Sequence, residues 1–206
     1  AGRSEREPEA ALDTLYNHPN VGPFIGKQLI QRLVTSNPSP AYVAAVAGAF
    51  NNNGSGTRGD LKAVVKAVLL HPEARVVSTS SGKIREPILR LSAMLRAFGY
   101  GSASGNYRVG NTDNPESSLG QTAMRSPTVF NFYRPGYVAP GTQAAAAGLV
   151  APEMALAQET TAAGYVNYMR DNVSAGVGAS ATVTVNGVSV TRRDLQPDFS
   201  AELALA

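Results

Sequence analysis

The stretch "GDLKAVVKAVLLHP", Gly59 to Pro72, decides how this chain folds. Its Leu61, Val64, Val65, Val68 and Leu69 recur at the i, i+3, i+4, i+7, i+8 spacing that lays an apolar stripe along one face of an α-helix. Asp60 stands where a side-chain oxygen can cap the first turn, and Pro72 bars continuation. The same pattern recurs on both sides. "PEAALDTLYNHP" runs from Pro8 to Pro19, and "VGPFIGKQLIQRLVTS" follows with Phe24, Ile25, Leu29, Leu33 and Val34 as its stripe and Lys27, Gln31 and Arg32 off it. "SPAYVAAVAGAF" opens with Ser39 as cap and Pro40 at the first helical position. Downstream, "REPILRLSAMLRAFG" places Ile88, Leu91 and Leu95 on one face and stops at Gly99. Five helices joined by short loops predict antiparallel neighbours in a bundle over residues 10–98.

Past Gly99 the character changes. Residues 99–120 are rich in Gly, Ser and Asn and read as a long loop, with "GYGSASG" as a linker. "RSPTVFNFYRPGY", Arg125 to Tyr137, then packs four of the chain's fourteen aromatics into eight residues between prolines. Proline bars a regular helix there, so Phe130 and Phe132 are expected to plug the bundle, leaving one of Tyr133 or Tyr137 near the surface. With Val129 they would contribute roughly 5–8 kcal/mol of burial before entropy is subtracted. A long helix is expected from about Pro152 to Asn172, and "ATVTVNGVSVT" around Asn186–Gly187 signals a β-hairpin near 181–191. The closing "SAELALA" reads as part of another helix, so the chain is expected to be a fragment of a longer protein. The fold class is therefore mainly α: a multi-helix bundle with a long irregular aromatic segment and one small β-hairpin.

Composition narrows the functional classes. Apolar residues make up 43% of 206 and charged residues only 16%, a globular profile. Residues 1–100 carry twelve Lys/Arg against seven Asp/Glu, and residues 101–206 six against eight, so the overall charge of +3 sits in the first half. No basic run exceeds Arg192–Arg193, which argues against nucleic acid as a partner. With no cysteine, thiol nucleophiles, disulfides and Cys-based metal sites are excluded. No apolar run approaches the ~18 residues of a membrane span. Ala1–Glu9 is polar and carries no signal-peptide core, so an export signal would lie outside the chain.

Few motifs carry chemistry. His18 and His71 each precede a proline at a helix end, with no carboxylate at ligand spacing, so they read as terminal residues and not as metal ligands. "NNNGSGTRGD", Asn51 to Asp60, superficially follows a calcium loop, but Lys62 falls where a bidentate Glu is required, which leaves a polar turn. No P-loop, nucleophile elbow or dinucleotide fingerprint appears, and no cofactor is expected. The remaining signal is charge beside aromatics. Arg85, Glu86 and Arg90 lie in "GKIREPILR", with Glu86 and Arg90 an i,i+4 pair; Arg125 and Arg134 bracket the aromatic run; Glu153 and Glu159 open the last long helix six residues apart. Arginine beside aromatic rings suits planar anions or sugars, through forked hydrogen bonds and stacking. Arg85, Glu86, Arg90, Arg125, Tyr133, Arg134 and Glu153 are thus the candidate ligand-binding residues. Arg125 and Arg134 would hold the ligand, Tyr133 would stack on it, and the acids would orient the arginines. The plainer alternative is a salt-bridge network pinning the irregular segment to the bundle.

Read in order, "LYNHPNVGPFIGKQLIQRLVTSNPSPAYVAAVAGAF", "GSGTRGDLKAVVKAVLLHPEAR", "GKIREPILR", "SPTVFNFYRPGY" and "GLVAPEMALAQE" closely resemble the C-terminal half of a bacterial family known as domain of unknown function 1800. The resemblance covers about residues 10–170. It implies a largely helical protein with no established activity, export to the periplasm or cell surface, and a partner among exported phosphatase/sulfatase-like proteins. It also sets residues 1–9 apart as a tag-like extension outside the family, ahead of a bundle at 10–98, an irregular and aromatic segment at 99–150 packed on it, and a long helix with hairpin at 151–206. The leading expectation is a non-catalytic binding or scaffold module of an exported bacterial protein, recognising an anionic or carbohydrate ligand such as an envelope polysaccharide. The alternative is a hydrolase of cell-envelope or extracellular polymers using Glu86, Glu153 or Glu159 as paired carboxylates, which would need two carboxyl groups roughly 5–10 Å apart in an open cleft.

Overall fold

The computed structural model describes residues 6–79 and 81–205. The helices are α1 (Arg6–Asn17), α2 (Val21–Leu33), α3 (Pro40–Asn51), α4 (Leu61–Leu70), α5 (Pro87–Ala97), the single turn α6 (Gln143–Ala146), α7 (Glu159–Ala175) and the short α8 (Ser200–Leu203). Three-residue and five-residue 3₁₀ turns stand at Pro72–Ala74 and Pro152–Leu156. Strands β1 (Gly101–Ser102), β2 (Val177–Val185) and β3 (Val188–Gln196) form one antiparallel sheet in the order β1-β3-β2. The protein is thus mainly helical with a small sheet. It divides into two compact units: the described residues of Ala1–Lys83 with Pro135–Pro152, and Ile84–Arg134 with Glu153–Ala206.

In the first unit the core is Ile30, Tyr42, Val46, Phe50, Val64 and Val68. The α4 stripe is real but narrow, since Val64 and Val68 are buried while Leu61, Val65 and Leu69 lie exposed. On α2 the expected stripe holds in part, since Ile25, Leu29 and Val34 pack against the core. Phe24 and Leu33 are exposed, and the fully buried residues are Gly22, Gly26, Ile30 and Gln31, the last of which was expected off the stripe. A Cβ on Gly26 would meet Val46 Cγ1 at 3.0 Å, so α2 turns its small residues, not its largest ones, toward α3.

α3 and α4 are capped locally. Ser39 Oγ accepts from Tyr42 N, and Asp60 Oδ1 accepts from Lys62 N and Ala63 N. His18 Nδ1 and His71 Nδ1 each accept from the backbone amide two residues on, and the His71 ring stacks on Tyr42 at 4.2 Å. In the Asn51–Asp60 turn, Asn52 and Asn53 spend their side-chain oxygens on the amides of Gly54, Gly56, Ser55 and Thr57. Arg58 donates to Tyr16 O and His18 O and lies over the Phe50 ring, a structural use of the arginine in "RGD".

In the second unit Leu91, Tyr100, Leu119, Val177 and Leu195 form the core, flanked by the predicted Ile88 and Leu95. The hairpin closes at Asn186–Gly187 as expected, but its strands are longer than 181–191 and gain a third partner. That partner corrects the reading of Gly99–Gly105 as a linker: Gly101 and Ser102 pair with Gln196 and Leu195. The buried Asp194 carboxylate then accepts from Ser102 Oγ, Ser104 Oγ and Arg108 N, which pins the segment to β3. The long helix expected from Pro152 is also interrupted. Thr161 Oγ1 accepts from Gln158 N and donates to Leu156 O, so the chain leaves a 3₁₀ turn and starts a new helix at Glu159. Gly164 on α7 lies against the Pro115–Glu116 backbone, where a Cβ would sit 2.4 Å from Pro115 O.

The aromatic segment does not form a plug. Val129 and Phe130 are exposed (96% and 61%), Phe132 and Tyr137 are half-buried, and Tyr133 is the buried member at 5%. No two of these four rings stack on each other among the described residues. The chain passes from one unit to the other between Arg134 and Pro135, so Tyr133 and Tyr137 serve different units and cannot fill one core.

Candidate functional site

Glu86 occupies the position before α5, where a side chain could cap the helix. It does not; it turns to two partners further along the chain. Glu86 Oε1 accepts from Tyr133 Oη at 2.5 Å, and Oε2 accepts from Gln121 Nε2 at 2.5 Å. Gln121, only 2% exposed, accepts the orphan Ile88 amide of the α5 first turn through Oε1, doing the capping that Glu86 leaves undone. Glu153, 3% exposed on the 3₁₀ turn, places Oε1 3.5 Å from the same Tyr133 hydroxyl. A phenol has a single proton, so the shorter contact to Glu86 takes the hydrogen bond and the Glu153 contact is the weaker one.

Of the seven residues predicted to share a site, Glu86, Tyr133 and Glu153 converge and the four arginines do not join them. Arg90 donates from Nε to Arg85 O at 2.8 Å and lies over the Tyr165 ring at 4.9 Å, so the expected i,i+4 pair with Glu86 is not made. Arg85 is exposed. Arg134 is exposed and covers the Phe130 ring at 4.8 Å. Arg125 pairs with Asp113 at 3.5 Å. Tyr133 therefore offers its hydroxyl to carboxylates instead of its face to a ligand, and the acids are not oriented by Arg125 or Arg134. Glu159 stands exposed in the first turn of α7, apart from Glu153 on the 3₁₀ turn.

Arg125 instead borders an open cleft of about 730 Å³. Its walls include Asp113, Arg125, Ser126, Phe132, Gln158 and Thr161, all from the second unit. The cleft shares three chain segments with the carboxylate cluster, to which Glu86 adds a fourth from the start of α5. Gly120, Phe132 and Ala155 line the cleft, and their near neighbours Gln121, Tyr133 and Glu153 belong to the cluster. Asp113, Gln158 and Thr161 were not singled out by the sequence, and Phe132 was read only as a core plug, because nothing local marks residues that meet through segments far apart in the chain.

The cluster also has a place along the chain. The chain changes unit at Lys83–Ile84, Arg134–Pro135 and Pro152–Glu153. Glu86, Tyr133 and Glu153 each lie within three residues of one of those passages. Their contacts tie together three segments of the second unit beside the points where each enters or leaves it.

No helix among the described residues is long and apolar enough to cross a membrane. No curated protein and no solved structure matches the chain. A protein family does, over residues 1–203, a span that takes in both the first nine residues and the hairpin. That family is described as "Protein of unknown function (DUF1800)", and the chain belongs to it.

Proposed function

We propose that this chain is a non-catalytic binding module of an exported bacterial protein, and that the cleft beside Arg125 takes a carbohydrate. The observation that carries this reading is the company Arg125 keeps. Its guanidinium is paired with Asp113 within a cleft that also holds Phe132, Ser126, Gln158 and Thr161. A bare anion would meet Asp113 as well as Arg125. A hydroxyl-bearing ring can accept from the arginine, donate to the aspartate and rest against the phenyl face, so the charge pair favours a sugar over a simple anion. An envelope polysaccharide is the natural form of such a ligand for an exported protein, and an exported phosphatase/sulfatase-like protein is the proposed partner.

The test is calorimetric titration of the protein with soluble oligosaccharides of glucose, N-acetylglucosamine and uronic acid. Arg125→Ala and Phe132→Ala should each weaken binding roughly tenfold, with melting temperature nearly unchanged. Binding that survives both substitutions, or no binding to any of the three sugars, sinks the reading.

A hydrolase remains the second reading because two carboxylates approach one tyrosine hydroxyl, which puts their nearest oxygens no more than about 6 Å apart. Access counts against it. Glu153 is buried, and neither acid lines the cleft. Release of reducing ends from a polysaccharide, abolished by Glu86→Gln, would favour hydrolysis over binding.

A further inference from the structure

Helices α1 and α4 of the first unit each carry an apolar stripe that their own chain leaves uncovered. On α1 it is Leu12, Leu15 and Tyr16, and both leucines are 65% exposed. On α4 it is Leu61, Val65 and Leu69, at i, i+4 and i+8, all exposed. One exposed leucine needs no explanation, whereas rows of them along two helices mark a contact surface. Within one chain the two helices meet only at an end. Tyr16 Oη donates to Arg58 O at 2.5 Å, and a Cβ on Gly59 would clash with the Tyr16 ring. The α1 C-terminus is thus packed just ahead of α4, while Leu12 and Leu15 stay clear of the α4 stripe.

The flanks of the two stripes are opposite in sign. Glu9 and Asp13, four residues apart and exposed, run beside the α1 stripe. Lys62 and Lys66, also four apart and exposed, run beside the α4 stripe. At 3.6 residues per turn, the acids lie on the same rotational side of their stripe as the lysines do of theirs. Helices packed face to face in opposite directions bring same-sided flanks together. Antiparallel docking of an α1 on an α4 therefore covers both stripes and sets Glu9 and Asp13 against Lys62 and Lys66.

We propose that two copies of this chain pair in this way, α1 of each lying antiparallel on α4 of the other. The C-terminal end of α1 then meets the N-terminal end of the other copy's α4, the same end at which Tyr16 already touches its own Gly59. Both exchanges close about one two-fold axis beside Tyr16, and they use up both stripes, so assembly stops at two. A membrane surface fits less well, because the acids beside the α1 stripe would face anionic headgroups. The inference is independent of the cleft beside Arg125, whose residues all lie in the second unit.

The experiment is sedimentation velocity of the whole chain from about 1 to about 300 µM, where a concentration-dependent dimer is expected. Two variants reverse the flanks: Glu9→Lys with Asp13→Lys, and Lys62→Glu with Lys66→Glu. All four positions are exposed, so each variant should keep its helical circular dichroism and nearly its melting temperature. Each alone should dimerise roughly tenfold more weakly or worse, since both exchanged contacts then oppose like charges. An equimolar mixture of the two should recover the dimer, because every α1 again finds an α4 of opposite charge. Recovery on mixing happens only between chains, so docking of α1 on its own α4 would not produce it. A chain that stays monomeric throughout overturns the proposal. So do variants that dimerise as well as wild type, or a mixture that remains monomeric.

Discussion

The Tyr133 hydroxyl donates to Glu86 Oε1 across 2.5 Å, joining residues 47 positions apart in the chain. A hydrogen bond to a charged acceptor in a buried setting contributes more than a neutral one, and its loss leaves Glu86 short of a donor. Tyr133→Phe keeps the ring and removes only the hydroxyl. It should lower stability by about 1.5–3 kcal/mol, read as a lower urea midpoint with unchanged slope. A loss under about 0.5 kcal/mol would show that the ring alone matters.

Arg134 should behave in the opposite way. It is exposed and touches an exposed phenyl ring. Arg134→Ala is expected to change stability by less than about 0.5–1 kcal/mol and to leave saccharide titrations at the Arg125 cleft unaltered. Lost binding in that variant would return Arg134 to the site from which its position separates it.

Gly164→Ala sets two effects against each other. Alanine gains roughly 1 kcal/mol of helix propensity over glycine. Its Cβ would lie 2.4 Å from Pro115 O and 2.8 Å from Glu116 O, both backbone atoms. Overpacking against main chain costs about 1–3 kcal/mol and sometimes more, so the net effect is expected to be a loss. A thermal unfolding curve shifted upward would contradict the packing described for α7.

Acid should unfold the second unit partly through Asp194. The hydrogen bond from Ser104 Oγ, then the Arg108 amide and Ser102, favour its ionised form and hold the carboxyl below the usual carboxylate range. A depressed folded-state value means that the stabilisation is fully present above the unfolded value, near 4, and is lost as pH falls through the folded one. Stability is therefore expected to be flat from pH 7 to about 5 and to decline below about 4, with a shallower acid limb in Asp194→Asn. Asp60, lowered by Asn53 and the Ala63 amide, adds to the same trend in the first unit. An acid limb identical in wild type and Asp194→Asn would rule out this assignment.

The helices were legible in the sequence because capping and periodicity are local. Ser39, Asp60 and Pro87 stand at helix starts, and α5 buries the face that Ile88, Leu91 and Leu95 predict. The α2 face was read only in part: Ile25, Leu29 and Val34 pack on the core, but hydrophobic patterning rewards Phe24 and ignores Gly22 and Gly26, although close approach selects the smaller residues. The hairpin announced itself through Asn186–Gly187, whereas β1 is two residues held by a partner nearly a hundred positions away. The site was half legible. Charge beside aromatics flagged Glu86, Tyr133 and Glu153, but which partner each one meets is set by contacts between residues 20 and 47 positions apart, and local sequence carries no trace of that.

Those passages set an order of events during synthesis. The first unit needs Pro135–Pro152 to be complete, so Ala1–Lys83 must wait while the fifty-one residues of Ile84–Arg134 are made. At ordinary translation rates that is roughly 3–10 s. The second unit waits longer still, because its strands β2 and β3 lie beyond Glu153. The apolar core of the first unit lies wholly within residues 21–74, whereas Leu91, Tyr100 and Leu119 of the second stay uncovered until Val177 and Leu195 have been made.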